Sequence, residues 1–426
     1  MHRRITLAVI FILMFPLLAR AEEISLTLDE AVVIALRDNR EILLKTEDVK
    51  KAKSKIAEAK ASLWPSLSFT GAWTDTRGYY SKDLGSTTTQ ATLKQTLYKG
   101  GKIINTIKYN EYGFDVTQAV LDKTRLEIIL NVKKAFYTLL LAGEYSKLNK
   151  GILENTEEHL KFLQARYENG QASESDILKI KESLESVRQA YGASLNQIES
   201  GSALIKNLLY LSEEVKIRVD AELNYEPQEL AYDQAFLKAM STRPEIRQYE
   251  AQVKANQRGI EIAKADNRPT IYASWDYYSR SHLAAGTSRN WNDYDVIGFT
   301  FSWPVFDGWA TKAKVEQAII DLKEAQLSKE NIVKDIAQEL KNAYLDLKNA
   351  YLDFKDAIAK MQAIEAQINL YKDTLRVAEE KYKTGIASSL DLSDVSLSYV
   401  ISLFNQKEAI YDYIIAKAKF DKATGG

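Results

Sequence analysis

Trp64-Pro65-Ser66-Leu67-Ser68-Phe69-Thr70-Gly71-Ala72-Trp73-Thr74 is where the chain changes period. Before it, Thr27-x-x-Glu30 forms a capping box opening a helix over Leu28 to Asn39, and a second helical stretch runs from Arg40 to Leu63. Pro65 ends that stretch. Beyond it Leu67, Phe69, Gly71 and Trp73 alternate with Ser66, Ser68, Thr70, Ala72 and Thr74, the period of a strand with one apolar and one polar face. Ala91, Leu93, Gln95 and Leu97, alternating with Thr92, Lys94 and Thr96, supply its partner, so a hairpin is expected over about 66–97.

The same layout recurs. Glu41-Ile42 and Trp64-Pro65-Ser66-Leu67 match Glu245-Ile246 and Arg268-Pro269-Thr270-Ile271 at an offset of 204. Leu97-Tyr98-Lys99-Gly100 matches Val305-Phe306-Asp307-Gly308 at 208, and Tyr167-x-x-Gly170-x-x-Ser173-x-x-Asp176 matches Tyr382-x-x-Gly385-x-x-Ser388-x-x-Asp391 at 215. Order is kept while the offset drifts by small insertions, so the chain reads as two internal repeats. The expected division is residues 22–210, an inter-repeat segment 211–230, and 231–426, with a second hairpin at about 270–305. Each strand is expected to run about ten residues, the length of an outer-membrane strand.

After Gly308, Ile336, Leu340, Ala343, Leu347, Ala350, Phe354, Ala357, Met361, Ile364, Ile368, Tyr371, Leu375, Ala378 and Tyr382 follow at spacings of four and three. A sustained 3.5-residue seam forces a left-handed supercoil against neighbouring helices, and its alanines allow close approach. Ile128, Val132, Ala135, Leu139 and Ala142 carry the seam in the first repeat. Gly170 and Gly385 break the pattern and mark turns at 168–173 and 383–388, after which Ser173-x-x-Asp176 and Ser388-x-x-Asp391 restart helices as capping pairs.

Composition removes other classes. The 426 residues include only 18 glycines and 6 prolines, which suits long uninterrupted elements, and 27% are charged, which excludes a bundle of apolar membrane helices. Fifty-seven basic and 58 acidic residues give a net charge of -1, so no bulk field favours nucleic acid. With no cysteine and three scattered histidines, His2, His159 and His282, no thiol chemistry, disulfide or helical metal spacing is available; no metal site or cofactor is expected. No nucleophile or phosphate-loop motif suggests an enzyme. Basic Met1–Arg4, a largely apolar Ile5–Leu18 and Ala19-Arg20-Ala21 read as an export leader over residues 1–21, too short to span a bilayer.

Four strands cannot close a barrel, and an open edge in lipid leaves backbone groups unsatisfied at several kcal/mol each. Closure therefore requires several chains: eight strands from a dimer, or twelve from a trimer, of which only the larger leaves room for a water-filled lumen. The class left standing against such a duct is a non-conducting coiled-coil envelope scaffold or adhesin, which has no use for apolar hairpin faces.

Ser25-Leu26-Thr27-Leu28-Asp29-Glu30-Ala31 with Ala35-Leu36-x-x-Asn39, and the two Tyr-x-x-Gly turns, resemble the TolC-type outer membrane efflux proteins, with the duplicated layout in order after Ala21. The resemblance implies a mainly α protein with membrane β: a homotrimer whose twelve-stranded β-barrel sits in outer membrane lipid and continues as a twelve-helix coiled-coil α-barrel through the periplasm. It implies passive exit from the periplasm for the cargo of a tripartite efflux pump or type I secretion system, with a periplasmic adaptor (membrane fusion) protein and an inner-membrane transporter as partners. By the same resemblance Asp391 and Asp394 fall on the aspartates ringing the periplasmic aperture, while Tyr382 and Asp176 fall on an entrance lock whose arginine position holds Ala387. The turns bearing Gly170, Ser173, Gly385 and Ser388 correspond to the tips that meet the adaptor.

Overall fold

The breaks between elements fall where the chain runs out of periodic apolar residues, and they produce one order twice: two helices, two strands, then two long helices. The computed structural model describes residues 23–79, 82–223, 232–284, 290–383 and 389–426, without the side chains of 23, 76, 78–79, 82–84, 282–284, 290, 350, 354, 357, 360–362 and 364–400. In the first half α1 (Leu28–Asp38) and α2 (Arg40–Ala61) lead to β2 (Ser66–Tyr79), β3 (Lys82–Lys99), α3 (Lys102–Glu168) and α4 (Glu174–Leu209). In the second, α5 (Tyr232–Thr242) and α6 (Pro244–Lys264) lead to β5 (Thr270–Ala284), β6 (Asn290–Ser302), α7 (Ala310–Lys383) and α8 (Ser389–Ala423). Short strands β1 (Glu23–Leu26) and β4 (Lys216–Val219) precede α1 and follow α4.

One compact unit comprises residues 23–33 with Ala135–Leu223. There β1 and β4 pair in parallel, Ile24 opposite Ile217, so residues 211–230 contain a strand that their polar composition did not announce. The Thr27–Glu30 capping box forms as read, with the Glu30 amide donating to Thr27 Oγ1 at 3.3 Å and the Thr27 amide to Glu30 Oε2 at 3.0 Å. Within this unit α3 and α4 run antiparallel, Arg188 pairing with Glu157 at 3.3 Å, and Phe136, Leu139, Leu163, Ile177, Leu184 and Ile205 are buried. Gly201 sits on Leu139: a β-carbon there would lie 3.3 Å from the Leu139 backbone.

The other unit comprises Ile34–Lys134 with Asn224–Gly426. Its core joins Ala235, Ala239 and Ile246 of α5 and α6 to Ile336, Leu340, Ala343 and Leu347 of α7 and to Tyr413, Ala416 and Phe420 of α8. Those four α7 positions are consecutive members of the 3.5-residue seam, so the periodicity marks a buried stripe there. From Ala350 to Tyr382 all the seam side chains lie outside the described residues. At 74 residues and 1.5 Å rise, α7 is about 110 Å long, several times what a globular core needs.

The hairpins join into a four-stranded antiparallel sheet in the order β2-β3-β5-β6. β3 lies beside β5, about 190 residues on, with Leu93 opposite Trp275 and Lys94 opposite Ser274. The strands are 14, 18, 15 and 13 residues long, longer than the ten expected. The excess lies toward the hairpin ends, where Asp75, Thr87, Ser279 and Asp293 occupy positions on the apolar face while backbone pairing continues. Among the described residues no helix is long and apolar enough to cross a membrane.

Candidate functional site

The sheet's two faces have opposite chemistry. Register places Leu67, Leu93, Trp275 and Ile297 side by side on one face, with Phe69, Ala91 and Tyr277 in the next row and Ile271 and Phe301 at the helix end. In the single chain this face is bare: Phe69 is 79% and Phe299 76% exposed. Trp73 and Trp291 bound the band at one end, Trp64 and Trp303 at the other. Trp303 and Trp291 are twelve residues apart, about 40 Å of strand; at a tilt near 40° that is roughly 30 Å, the thickness of a bilayer's hydrocarbon.

The opposite face is hydrogen-bonded and polar. Thr92 Oγ1 donates to Asp276 Oδ1 at 2.6 Å, Gln90 Nε2 donates to the same oxygen and to the Tyr278 hydroxyl, each at 3.0 Å, and Ser274 Oγ donates to Asp276 Oδ2 at 3.0 Å. Tyr278 and Tyr294 stack with centroids 5.0 Å apart. The outer edges of β2 and β6 have no ladder partner among the described residues. Strand directions alternate, so β6 of one copy set against β2 of another continues the antiparallel order.

At the first tip, α3 ends in a Schellman motif: Gly170 has φ +69°, its amide donates to the Tyr167 carbonyl at 2.9 Å, and the Gln171 amide donates to the Arg166 carbonyl at 2.8 Å. Two residues on, Ser173 caps α4. Its Oγ accepts from the Asp176 amide at 3.2 Å and donates to Asp176 Oδ2 at 2.7 Å, while the Ser173 amide donates to the same carboxylate at 3.2 Å. The side-chain and backbone bonds from Ser173 hold the Asp176 carboxyl below the usual range. The structure thus joins Ser173 to Asp176 in a reciprocal cap, with Gly170 turning the chain into it. For the second tip, Tyr382 is the last residue but one of α7 and Asp391 and Asp394 lie in the first turns of α8, all three side chains outside the described residues; Gly385, Ala387 and Ser388 lie outside them altogether.

A charged cluster went unread in the sequence. Arg243, buried at the start of α6, donates to Glu245 Oε1 and Oε2 at 2.7 and 3.1 Å, to Glu339 Oε2 of α7 at 2.8 Å and to the Ala423 carbonyl at the end of α8 at 3.2 Å. Lys422 completes it, 2.8 Å from Glu339 Oε1. Burial alone would raise the Glu245 pKa, but the guanidinium's hydrogen bonds and charge outweigh it and hold the carboxyl low. The signal lay in the helix start: Asn39 caps α2 with its side chain, whereas Arg243, at the matching place before α6, makes no side-chain cap.

The family model described as Outer membrane efflux protein matches residues 31–209 and 236–426, nearly the whole described chain. This chain belongs to the outer membrane efflux protein family. Among relatives of the efflux family, it is 21% identical to alkaline protease secretion protein AprF of Pseudomonas aeruginosa, covering 95% of this chain and 85% of that protein. It is 20% identical to outer membrane protein TolC of Escherichia coli, covering 91% and 80%. Its fold is similar to the Campylobacter jejuni CmeC outer membrane channel, with a TM-score of 0.77 at 19% identity over 93% of this chain and 85% of that one. The open-state MtrE channel of Neisseria gonorrhoeae gives 0.75 at 18% identity, over 94% and 89%. The efflux-family fold therefore extends over sheet and long helices alike.

Proposed function

We propose that the chain is the outer membrane channel-tunnel through which the cargo of a tripartite efflux pump or a type I secretion system leaves the periplasm. One observation carries the reading: a four-stranded sheet with a bare apolar face, a hydrogen-bonded polar face and two unpaired edges leads directly into helices of 67 and 74 residues. Bare apolar area on that scale calls for a cover, which lipid supplies along a band as tall as a bilayer's hydrocarbon, and the free edges call for further strands. Three copies close twelve strands around a lumen lined by the Asp276 and Tyr278 face, and the helices extend it as a twelve-helix α-barrel. Residues 22–210 and 231–426 act as two repeats of one unit, joined through 211–230.

In this reading the duct does no chemistry and takes its energy from the inner-membrane transporter, reached through a periplasmic adaptor. The relatives' names, an alkaline protease secretion protein and a toluene efflux pump outer membrane protein from Pseudomonas putida, support both pump classes equally. Asp391 and Asp394 form the cation-attracting aperture, Tyr382 and Asp176 act in holding it shut, and the turns of Gly170, Ser173, Gly385 and Ser388 receive the adaptor. The test is single-channel recording of the purified protein in planar bilayers. Discrete conductance steps reduced by multivalent cations support the duct; folded, inserted protein without conductance overturns it in favour of a scaffold.

A further inference from the structure

The sheet sorts its charges by sign onto its two faces. Register puts Lys94 of β3 and Arg280 of β5 on the polar face with Asp276, and Lys99, opposite Thr270, shares that face at the helix end. Asp75, Asp293 and Asp295 fall on the other face, beyond the apolar rows and toward the hairpin ends. Each of those acids has a donor of its own: Arg77 Nε donates to Asp75 Oδ2 at 3.1 Å, Ser279 Oγ to Asp293 Oδ1 at 2.5 Å and the Trp275 indole to Asp295 Oδ2 at 3.4 Å.

The cations of the polar face are held by neutral partners instead. The Lys94 ammonium lies 3.8 Å from the centroid of the Tyr272 ring, and Arg280 Nε donates to Thr88 Oγ1 at 3.2 Å. Neither they nor Lys99 form an ion pair among the described residues, whereas at the corner below the sheet Lys102 and Lys314 share Asp266 and Arg268 pairs with Glu261. A cation resting on a ring or a hydroxyl keeps its full charge for an ion arriving from outside; one paired with a carboxylate does not. Asp276, the opposing charge, is already engaged by Thr92, Gln90 and Ser274.

We infer that the barrel interior attracts anions, with Lys94 and Arg280 as its specificity-determining residues and multivalent oxyanions as the ligand chemistry it favours. This rests on the duct reading above, and the sign is the reverse of that proposed for the Asp391 and Asp394 aperture. Three cations against one carboxylate leave two positive charges per chain, six in three copies. Arg280 stands six residues along β5 from Ser274, the partner of Lys94, about 20 Å of strand, so three copies carry two cationic levels rather than one ring. Twelve strands about 4.8 Å apart and tilted near 40° put the axis about 12 Å from the backbone wall. The side chains bring their charges closer than that, within the ~10 Å Debye length of 0.1 M salt, so all three copies act on an ion at the axis.

The test is planar-bilayer recording of the mature protein in 0.1 M KCl with inorganic tripolyphosphate in both chambers. Native channels should be blocked, and Lys94→Gln with Arg280→Gln should raise the half-blocking concentration on the order of tenfold. Lys94→Arg with Arg280→Lys, which keeps both charges, should restore the native block. In the native protein alone, raising KCl to 1 M shortens the Debye length to about 3 Å and should relieve the block. Conductance that tripolyphosphate leaves unaltered, equal block in the native and neutralised channels, or block that persists in 1 M KCl would overturn the anion preference and leave the duct standing. Block lost in the charge-keeping variant would assign the effect to the contacts with Tyr272 and Thr88 and overturn it as well. Folded, inserted protein without conductance overturns the duct and the anion preference together.

Discussion

Replacing Arg243 by methionine tests whether the buried ionic cluster ties the start of α6 to the interior of α7 and the end of α8. The guanidinium is 3% and the Glu245 carboxylate 6% exposed, so the substitution strands a carboxylate away from water with its principal partner gone. Breaking a buried pair from one side costs about 3–5 kcal/mol, whereas replacing both partners by apolar residues of similar size is nearly neutral. Glu339 keeps Lys422 at 2.8 Å in either case. At 1.4 kcal/mol per factor of ten, amides of α5 and of residues 423–426 should exchange with deuterium about a hundred to several thousand times faster in Arg243→Met. Most protection should return in Arg243→Met with Glu245→Leu. The native Glu245 carboxyl is held below its ordinary value of 4.5, so the pair's contribution is complete above that pH and fades as pH falls through the lowered value. In the single variant burial acts on the carboxyl without that partner and raises its pKa, so protonation relieves the defect in acid. The ratio of variant to native exchange should therefore shrink from pH 7 toward pH 4. Equal exchange in the single and double variants, or a ratio independent of pH, would refute this account.

Leu340→Ala, at a fully buried seam position, should cost about 2–5 kcal/mol and lower the temperature at which helical circular dichroism is lost. Gly170→Val forces a β-branched residue to φ +69°, a penalty of about 1–2 kcal/mol confined to the tip; particle mass should stay native while crosslinking to the adaptor and export fall, and full export would move the docking surface elsewhere. Replacing Asp391 and Asp394 together by alanine should weaken block of the conducting channel by multivalent cations, with little loss of stability; unaltered block would leave them a helix-terminal role alone.

Local features of the fold were legible because their causes are local. Pro65 and the alternation after it place β2, the four-and-three spacing of Ile336, Leu340, Ala343 and Leu347 marks a stripe that is buried, and Ser173-x-x-Asp176 forms the cap its spacing implies. What the sequence withheld is set at long range. Nothing near Leu93 says that it faces Trp275, since either hairpin's apolar rows satisfy the same alternation and only register chooses. β1 and β4 are four residues each, too short for a period to declare them, and they form only against one another. Strand length was underread because apolar alternation reports only the stretch that carries an apolar face, while hydrogen bonding continues through Thr87 and Ser279 without it. Arg243, Glu245, Glu339 and Lys422 look like ordinary helical charges until the packing of three helices removes two of them from water.

The number of chains in the detergent-extracted particle tests the central claim most directly, because the closed duct stands or falls with the pairing of the β2 and β6 edges. Sedimentation or native mass measurement on the mature protein should give three chains per particle, with circular dichroism reporting intact helices. A monodisperse monomer with native helical content would contradict the closed barrel, and a stable dimer would replace the twelve-stranded lumen with an eight-stranded barrel filled by its own side chains.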